Sequence, residues 1–263
     1  MKTYDTLTLA LDDGLATLTL NCPEKRNALS PHTLKELINA CEALNANDGV
    51  RTVLIEGAGK AFSVGFDLRS FTDLMQGDGL EPEAILKESA LLGAKAIEAI
   101  QNLNAISIAS VHGYVIGGGF LMMAACDFRI AEEGTIFSLP EVDIGIPLLW
   151  GGVPLLVEHL GESLAKDLVL RARRFDLDVF KNSHFIYRRA TAEKRQEINS
   201  NLILDLKKKP ALTLKQSKKQ FIAARRQNGH AQGMDTELFL EAVMNPEFIP
   251  TAMAYMQRLK KKD

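Results

Sequence analysis

Apolar and polar residues alternate from Thr6 to Leu11 and again from Leu15 to Asn21, the period of two that predicts half-buried strands. Between them lies a turn signal, Asp12-Asp13-Gly14. The period then lengthens to three and four. Leu34, Leu37, Ile38, Cys41 and Leu44 fall on one face of a helix that Ser30 caps and Pro31 opens. Thr52 to Glu56 reads as a short buried strand, followed by a glycine-rich loop from Gly57 to Asp67. A helical stretch runs from about Pro82 to Leu103, and Ile106 to Val111 is a further strand that leads into Gly113 and Gly117-Gly118-Gly119. Strand–loop–helix units that recur in this way predict a mixed α/β (α+β) core whose loops hold a site at strand carboxyl ends. From about Thr191 the strand signal stops. Four helices are expected there: Thr191–Lys208, Thr213–Gln227, Gly233–Met244 and Pro246–Lys262, the last capped by Asn245. The expected division is a core over 1–190 and a helical domain over 191–263 for oligomerisation and pocket closure.

The chain has 263 residues, 46% hydrophobic and 24% charged, enough for one large core with at most a small appendage. The 31 basic and 33 acidic residues leave a net charge of -2, which asks for neither nucleic acid nor membrane as partner. The dense basic runs, Lys207-Lys208-Lys209, Lys218-Lys219, Arg225-Arg226 and Lys260-Lys261-Lys262, read as solvated helix faces or ends. Cys22, Cys41 and Cys126 have no CxxC or metal-ligand spacing and are expected to be reduced thiols. The opening residues show no signal peptide, and the uncharged stretch Gly113 to Cys126 is too short and glycine-rich to span a bilayer. A soluble, cytoplasmic protein is expected.

The glycine loops invite a phosphate-binding reading that fails on inspection. In Gly57-Ala58-Gly59-Lys60-Ala61-Phe62, Phe62 stands where a dinucleotide fingerprint needs its third glycine. Leu54 and Ala61 occupy P-loop positions that need Gly and Ser or Thr. Ser63 lacks the glycines of a nucleophile elbow, and the five histidines show no ligand spacing, so no metal is expected. Two glycine turns remain that can each aim a backbone N–H at one oxygen. Such a pair stabilises the enolate of a thioester, each preorganised donor being worth about 3–4 kcal/mol.

With their neighbours these turns carry a resemblance. Ala61-Phe62-Ser63-Val64-Gly65-Phe66-Asp67-Leu68 resembles the AF-x-x-G-x-D-L loop of the crotonase (enoyl-CoA hydratase/isomerase) superfamily. Val111-His112-Gly113 through Gly117-Gly118-Gly119, with Cys126-Asp127-Phe128-Arg129-Ile130-Ala131, is similar to its second signature. Asn21 to Leu29 resembles its amino-terminal segment, and Phe137-Ser138-Leu139-Pro140-Glu141, with Gly145, Gly151 and Gly152, its third stretch. The resemblance covers about residues 6–175 and implies a crotonase-like spiral of ββα units, a homotrimer or hexamer, and an acyl-CoA substrate with no cofactor beyond that coenzyme A. It places the oxyanion hole at the N–H groups of Phe66 and Gly118. Lys25 and Arg26 fall at the coenzyme A phosphates and Val64 at the adenine, with Ala28, Leu68, Gly117, Leu121 and Leu149 also among the substrate-binding positions.

Two glutamates mark the hydratases of this family. The first of these positions, two residues after the triple glycine, is Leu121 here, while the second, Glu141, is kept. Syn addition of water needs one group for the water and one for the C2 proton, whereas a double-bond shift needs a single base. The pattern resembles the Δ3,Δ2-enoyl-CoA isomerases, with Glu141 as the base, and Leu149 stands where diene isomerases and dehalogenases look for an aspartate. Phe137, Leu139, Ile144, Leu149 and Trp150 are expected to desolvate Glu141 and raise its pKa. The alternatives are a hydratase, a thioester hydrolase or decarboxylase acting on a coenzyme A or acyl-carrier-protein thioester, a non-catalytic acyl-CoA-binding protein, and RNA binding through the lysine-rich helices. Asp67, Asp127 and Asp143 are expected to cap turns. Residues 176–189 lack the alanine-rich helix and Gly-Leu-Val turn of the family, which bears on the pocket's far wall.

Overall fold

The computed structural model describes residues 3–68, 82–227, 234–246 and 248–260. Strands β1 (Leu7–Asp12) and β2 (Leu15–Leu20) form an antiparallel hairpin. Its two loop residues, Asp13 and Gly14, both take positive φ, 42° and 81°. A turn of that kind follows the right-handed twist of its strands, and Asp-Gly tolerates it best. The chain then continues in parallel through β3 (Thr52–Gly57), β4 (Ile106–Val111), β6 (Phe128–Glu132) and β8 (Arg188–Ala190), for a sheet ordered β1-β2-β3-β4-β6-β8. Two three-residue strands, β5 (Tyr114–Ile116) and β7 (Ile136–Ser138), leave this sheet and pair in parallel with each other.

Helices α1 (Pro31–Asn45), α2 (Pro82–Gln101) and α3 (Gly118–Ala125) connect the parallel strands. Ser30 caps α1 by accepting the Thr33 N–H at 3.1 Å. Of the five residues assigned to its inner face, Leu34, Leu37, Cys41 and Leu44 are buried, and Ile38 packs against them half-buried. Every residue of β4 and of α3 is buried, so both run through the centre of the molecule. After β7 come α4 (Glu141–Ile144), α5 (Gly152–Leu160) and α6 (Glu162–Arg171). After β8 come α7 (Ala192–Lys207), α8 (Ala211–Gln227), α9 (Met234–Met244) and α10 (Phe248–Lys260). Leu202 and Leu206 of α7 bury Leu54, Ile108 and Ile130 on the sheet face opposite the main core.

The first three strands and α1 match the periodicity to within a residue. Helix α8 begins two residues earlier than expected, just after Pro210. Helix α10 begins two residues later, because the Phe248 N–H turns back to the Asn245 carbonyl at 3.0 Å. Gly233, Lys261 and Lys262 lie outside the described residues. Lys218 corrects the reading of its run as a solvated face. It is only 3% exposed, and its ammonium reaches Asp127 Oδ2 at 2.6 Å and the Ala105 carbonyl at 2.8 Å. The same Asp127 oxygen accepts the Ser107 N–H at 2.7 Å, so an ion pair between a buried lysine and a half-buried aspartate clasps α8 to β4.

Residues 176–189 form no α-helix, as their sequence implies. Asp176 accepts the Asp178 N–H at 2.9 Å and caps a short 3₁₀ turn, Leu177–Phe180. Phe180 and Phe185 then bury themselves with Phe137 and Phe175 around Phe120, ring centroids 5.7–6.1 Å from it. The Arg129 guanidinium stacks 4.7 Å over Phe185 and donates to the carbonyls of Ala124, Cys126 and Phe185. This segment fills the core and does not line the chamber described next. Cys41 and Cys126 are free thiols that burial pushes up to about 12, which leaves them unreactive.

Candidate active site

The loop after β3 is threaded between the amino-terminal segment and β5 by backbone bonds: Ser63 N–H to the Tyr114 carbonyl at 3.1 Å, Ile116 N–H to Ser63 at 3.0 Å, and Leu29 N–H to Gly65 at 2.7 Å. Asn27 locks the crossing. It takes a positive φ of 55°, accepts the Cys22 N–H at 2.9 Å, and donates to the carbonyls of Ala58 and Ala61 at 2.9 and 2.8 Å. In the sequence it stands out only as a member of the Asn21–Leu29 stretch. Nothing in the sequence marks it as buried.

Gly65 explains why that loop needs glycine. At φ +81°, a Cβ would stand 2.6 Å from the Ile116 carbonyl oxygen and 3.1 Å from the Gly118 nitrogen. The peptide leading into Phe66 therefore lies directly against the first residue of α3. At that helix start, the Phe120 and Leu121 N–H groups both turn back to the Gly117 carbonyl, at 2.8 and 3.1 Å. The Gly118 N–H stays outside the helix ladder, at the positive end of the helix. Trp150 covers this junction. Its ring lies against Gly93 and Gly118, where any Cβ would collide with it, and meets Phe66 edge-on at 6.2 Å. Trp150 holds a φ of +61°, costly for a bulky residue and sustained by that packing.

Glu141 opens α4 and reaches over the glycine turn from the other side. A Cβ on Gly117, itself at φ +52°, would come within 2.7 Å of Glu141 Oε1. The residue as a whole is half-buried, and its Oε2 is buried with no hydrogen-bond partner. Burial pushes the carboxyl up to about 7. Of the apolar neighbours expected to do this, Ile144, Leu149 and Trp150 line the chamber, whereas Phe137 and Leu139 lie in the core.

The chamber encloses about 390 Å³. Phe66, Leu68, Gly118, Leu121, Glu141 and Leu149 all line it, so six of the candidate positions converge. Among its described lining residues Glu141 is the one carboxylate. The far wall comes from α9 and α10, through Phe239, Phe248, Met253 and Met256. Lys25 and Arg26 stand exposed outside the chamber, Arg26 5.8 Å from the Tyr114 ring centroid. Ala28 and Val64 lie half-buried nearby, with the Val64 N–H on the Arg26 carbonyl at 3.2 Å.

One group of described residues, Asp5, His32 and Glu36, brings possible metal-ligating atoms within 4.8 Å of one another. Both Glu36 oxygens already accept bonds from Asp5 and Thr6, which tie α1 to the start of β1. No described helix is long and apolar enough to cross a membrane.

The sequence profile of the enoyl-CoA hydratase/isomerase family matches residues 11–262, and the chain belongs to that family of enzymes. Relatives with names of both kinds match it. A crotonyl-CoA hydratase of Syntrophomonas wolfei is 33% identical over 176 residues, covering 66% of this chain and 65% of the relative. A peroxisomal Delta(3,5)-Delta(2,4)-dienoyl-CoA isomerase of Arabidopsis thaliana is 34% identical over 184 residues, 66% of each chain. The crystal structure of an enoyl-CoA hydratase from Bacillus halodurans superimposes with a TM-score of 0.86 at 21% identity, over 95% of this chain and all of the other. The fold is that of the crotonases.

Proposed function

We propose that this enzyme moves a double bond from position 3 to position 2 of an acyl-CoA, with Glu141 as its single acid–base group. The observation that carries the reading is the pairing of Glu141 with Leu121. Among the described lining residues a single carboxylate, its pKa pushed up to about 7 by burial, shares the chamber with the buried side chain of Leu121. The thioester oxygen sits between the N–H groups of Phe66 and Gly118. Glu141 removes a C2 proton, the electron pair delocalises onto the thioester oxygen, and the proton returns at C4 as the C2–C3 double bond forms. A carboxylate whose pKa lies near the working pH is suited to both halves of that transfer.

Lys25 and Arg26 take the coenzyme A phosphates, Val64 and Ala28 its adenine end, and no other cofactor takes part. The helices of 191–263 close the chamber and join subunits into a three-fold assembly. Hydration is the second reading, favoured by the hydratase relative, and among the described lining residues it has no second carboxylate to hold the water. Purified enzyme given 3-hexenoyl-CoA and, separately, crotonyl-CoA discriminates the two. Brisk hydration of crotonyl-CoA refutes the isomerase reading, as does undiminished isomerisation by Glu141→Gln.

A further inference from the structure

Apart from the indole of Trp150, three of the described side chains lining the chamber carry an oxygen or nitrogen: Glu141, Ser89 and Tyr255. Tyr255 comes from α10, which lies across α4. Gly145, just past the end of α4, faces Thr251 and Phe248, where a Cβ would meet Thr251 Cγ2 at 3.4 Å and Phe248 Cδ2 at 3.6 Å. One helical turn on from Thr251 is Tyr255, and one turn back from Gly145 is Glu141. The two lie close enough for the carboxylate to act on the phenol electrostatically. They are not bonded through the open oxygen, since Glu141 Oε2 is buried without a partner.

We propose that Tyr255 is a positioning residue of the reacting centre: through the water or substrate atom that fills the gap, its hydroxyl supplies Glu141 with the hydrogen bond that Leu121 cannot give. The proposal rests on Glu141 being the base. The charged groups around the phenol are Glu141 and Asp143 on α4, Arg258 on α10, and Arg174 in the turn after α6. Burial, first, and the two acids raise its pKa against the pull of the two arginines, so it stays protonated and acts as donor. A donor held towards a carboxylate favours the ionised form, so a hydrogen bond relayed from Tyr255 would lower the pKa of Glu141 against the burial that raises it.

Tyr255→Phe keeps the ring and its packing and removes only the hydroxyl. Two readouts on the full-length protein test it. The first is carbon-13 NMR titration of the glutamate carboxyls without ligand, with Glu141→Gln to assign the signal. The phenylalanine variant is expected to titrate about half a unit to one unit higher. The second is exchange of the α-protons of hexanoyl-CoA in deuterium oxide, which needs the base and the oxyanion site but no double bond. It is expected to slow about tenfold in Tyr255→Phe with the KM changed less than about twofold, whereas a purely structural tyrosine leaves both unchanged. An unshifted Glu141 titration together with an unchanged exchange rate overturns the proposal. If Glu141→Gln exchanges as fast as the unaltered enzyme, the base assignment fails instead. If nothing exchanges at all, the titration alone decides for or against Tyr255.

Discussion

Glu141→Gln should make the protein less active and more stable at the same time. A carboxyl whose folded-state pKa is raised from 4.5 to about 7 binds its proton more tightly when folded than when unfolded. Below pH 4.5 both states are protonated and the group costs nothing. As pH rises through 7 the folded protein must either hold the proton or bury a charge, so stability falls across that window. At 1.36 kcal/mol per pK unit, the full shift corresponds to about 3 kcal/mol, and partial access to water brings the expected value to about 2 kcal/mol. Glutamine fills the same space without a charge. Urea unfolding of both proteins, at one protomer concentration, should therefore show the variant more stable by about 2 kcal/mol at pH 8, with the gap closing by pH 4.5. Turnover should drop by about two to four orders of magnitude. A variant no more stable than the parent at pH 8, or a gap that does not depend on pH, would refute a desolvated Glu141.

Gly65→Ala should destabilise by about 2 kcal/mol and abolish turnover, since alanine is strained at φ +81° and its methyl meets the Ile116 carbonyl. Normal kinetics in that variant would mean the two loops need not touch. Lys218→Ala should cost about 3 kcal/mol in denaturant unfolding by leaving Asp127 and the Ala105 carbonyl without their cation, yet leave kcat per folded molecule unchanged. A cost under about 1 kcal/mol would put Lys218 in solvent after all. Light scattering at micromolar concentration should give three times the protomer mass or a multiple of that. A monomer would remove the assembly role proposed for 191–263.

Much of the fold is legible locally. The hairpin, α1 and β4 each carry a period, a cap or a turn residue that needs no distant partner. The three-residue strands β5, β7 and β8 are too short for a period to show, and Arg188-Arg189-Ala190 is a strand through its pairing with β6. At the site, Phe66, Gly118 and Glu141, which line one chamber, stand out in the sequence through the family resemblance of the loops that carry them. The sequence suggests that the helices after 191 close the pocket but not which of their side chains do so: Tyr255 and the residues of α9 and α10 that form the wall are brought to the chamber by helix packing, far from Glu141 along the chain. Lys218 was hidden for the same reason. A lysine in a basic run looks solvated until its partner, Asp127, arrives from another element.

That one carboxylate performs the whole proton transfer is tested most directly by label. 3-Hexenoyl-CoA carrying two deuterons at C2 would be given to the enzyme in excess for a single turnover, and the product examined by NMR and mass spectrometry. A dry chamber with Glu141 as sole carrier predicts 2-hexenoyl-CoA with part of the abstracted deuterium at C4, and no transfer in Glu141→Gln. Formation of 3-hydroxyhexanoyl-CoA as the main product, or deuterium transfer that survives in Glu141→Gln, would contradict it.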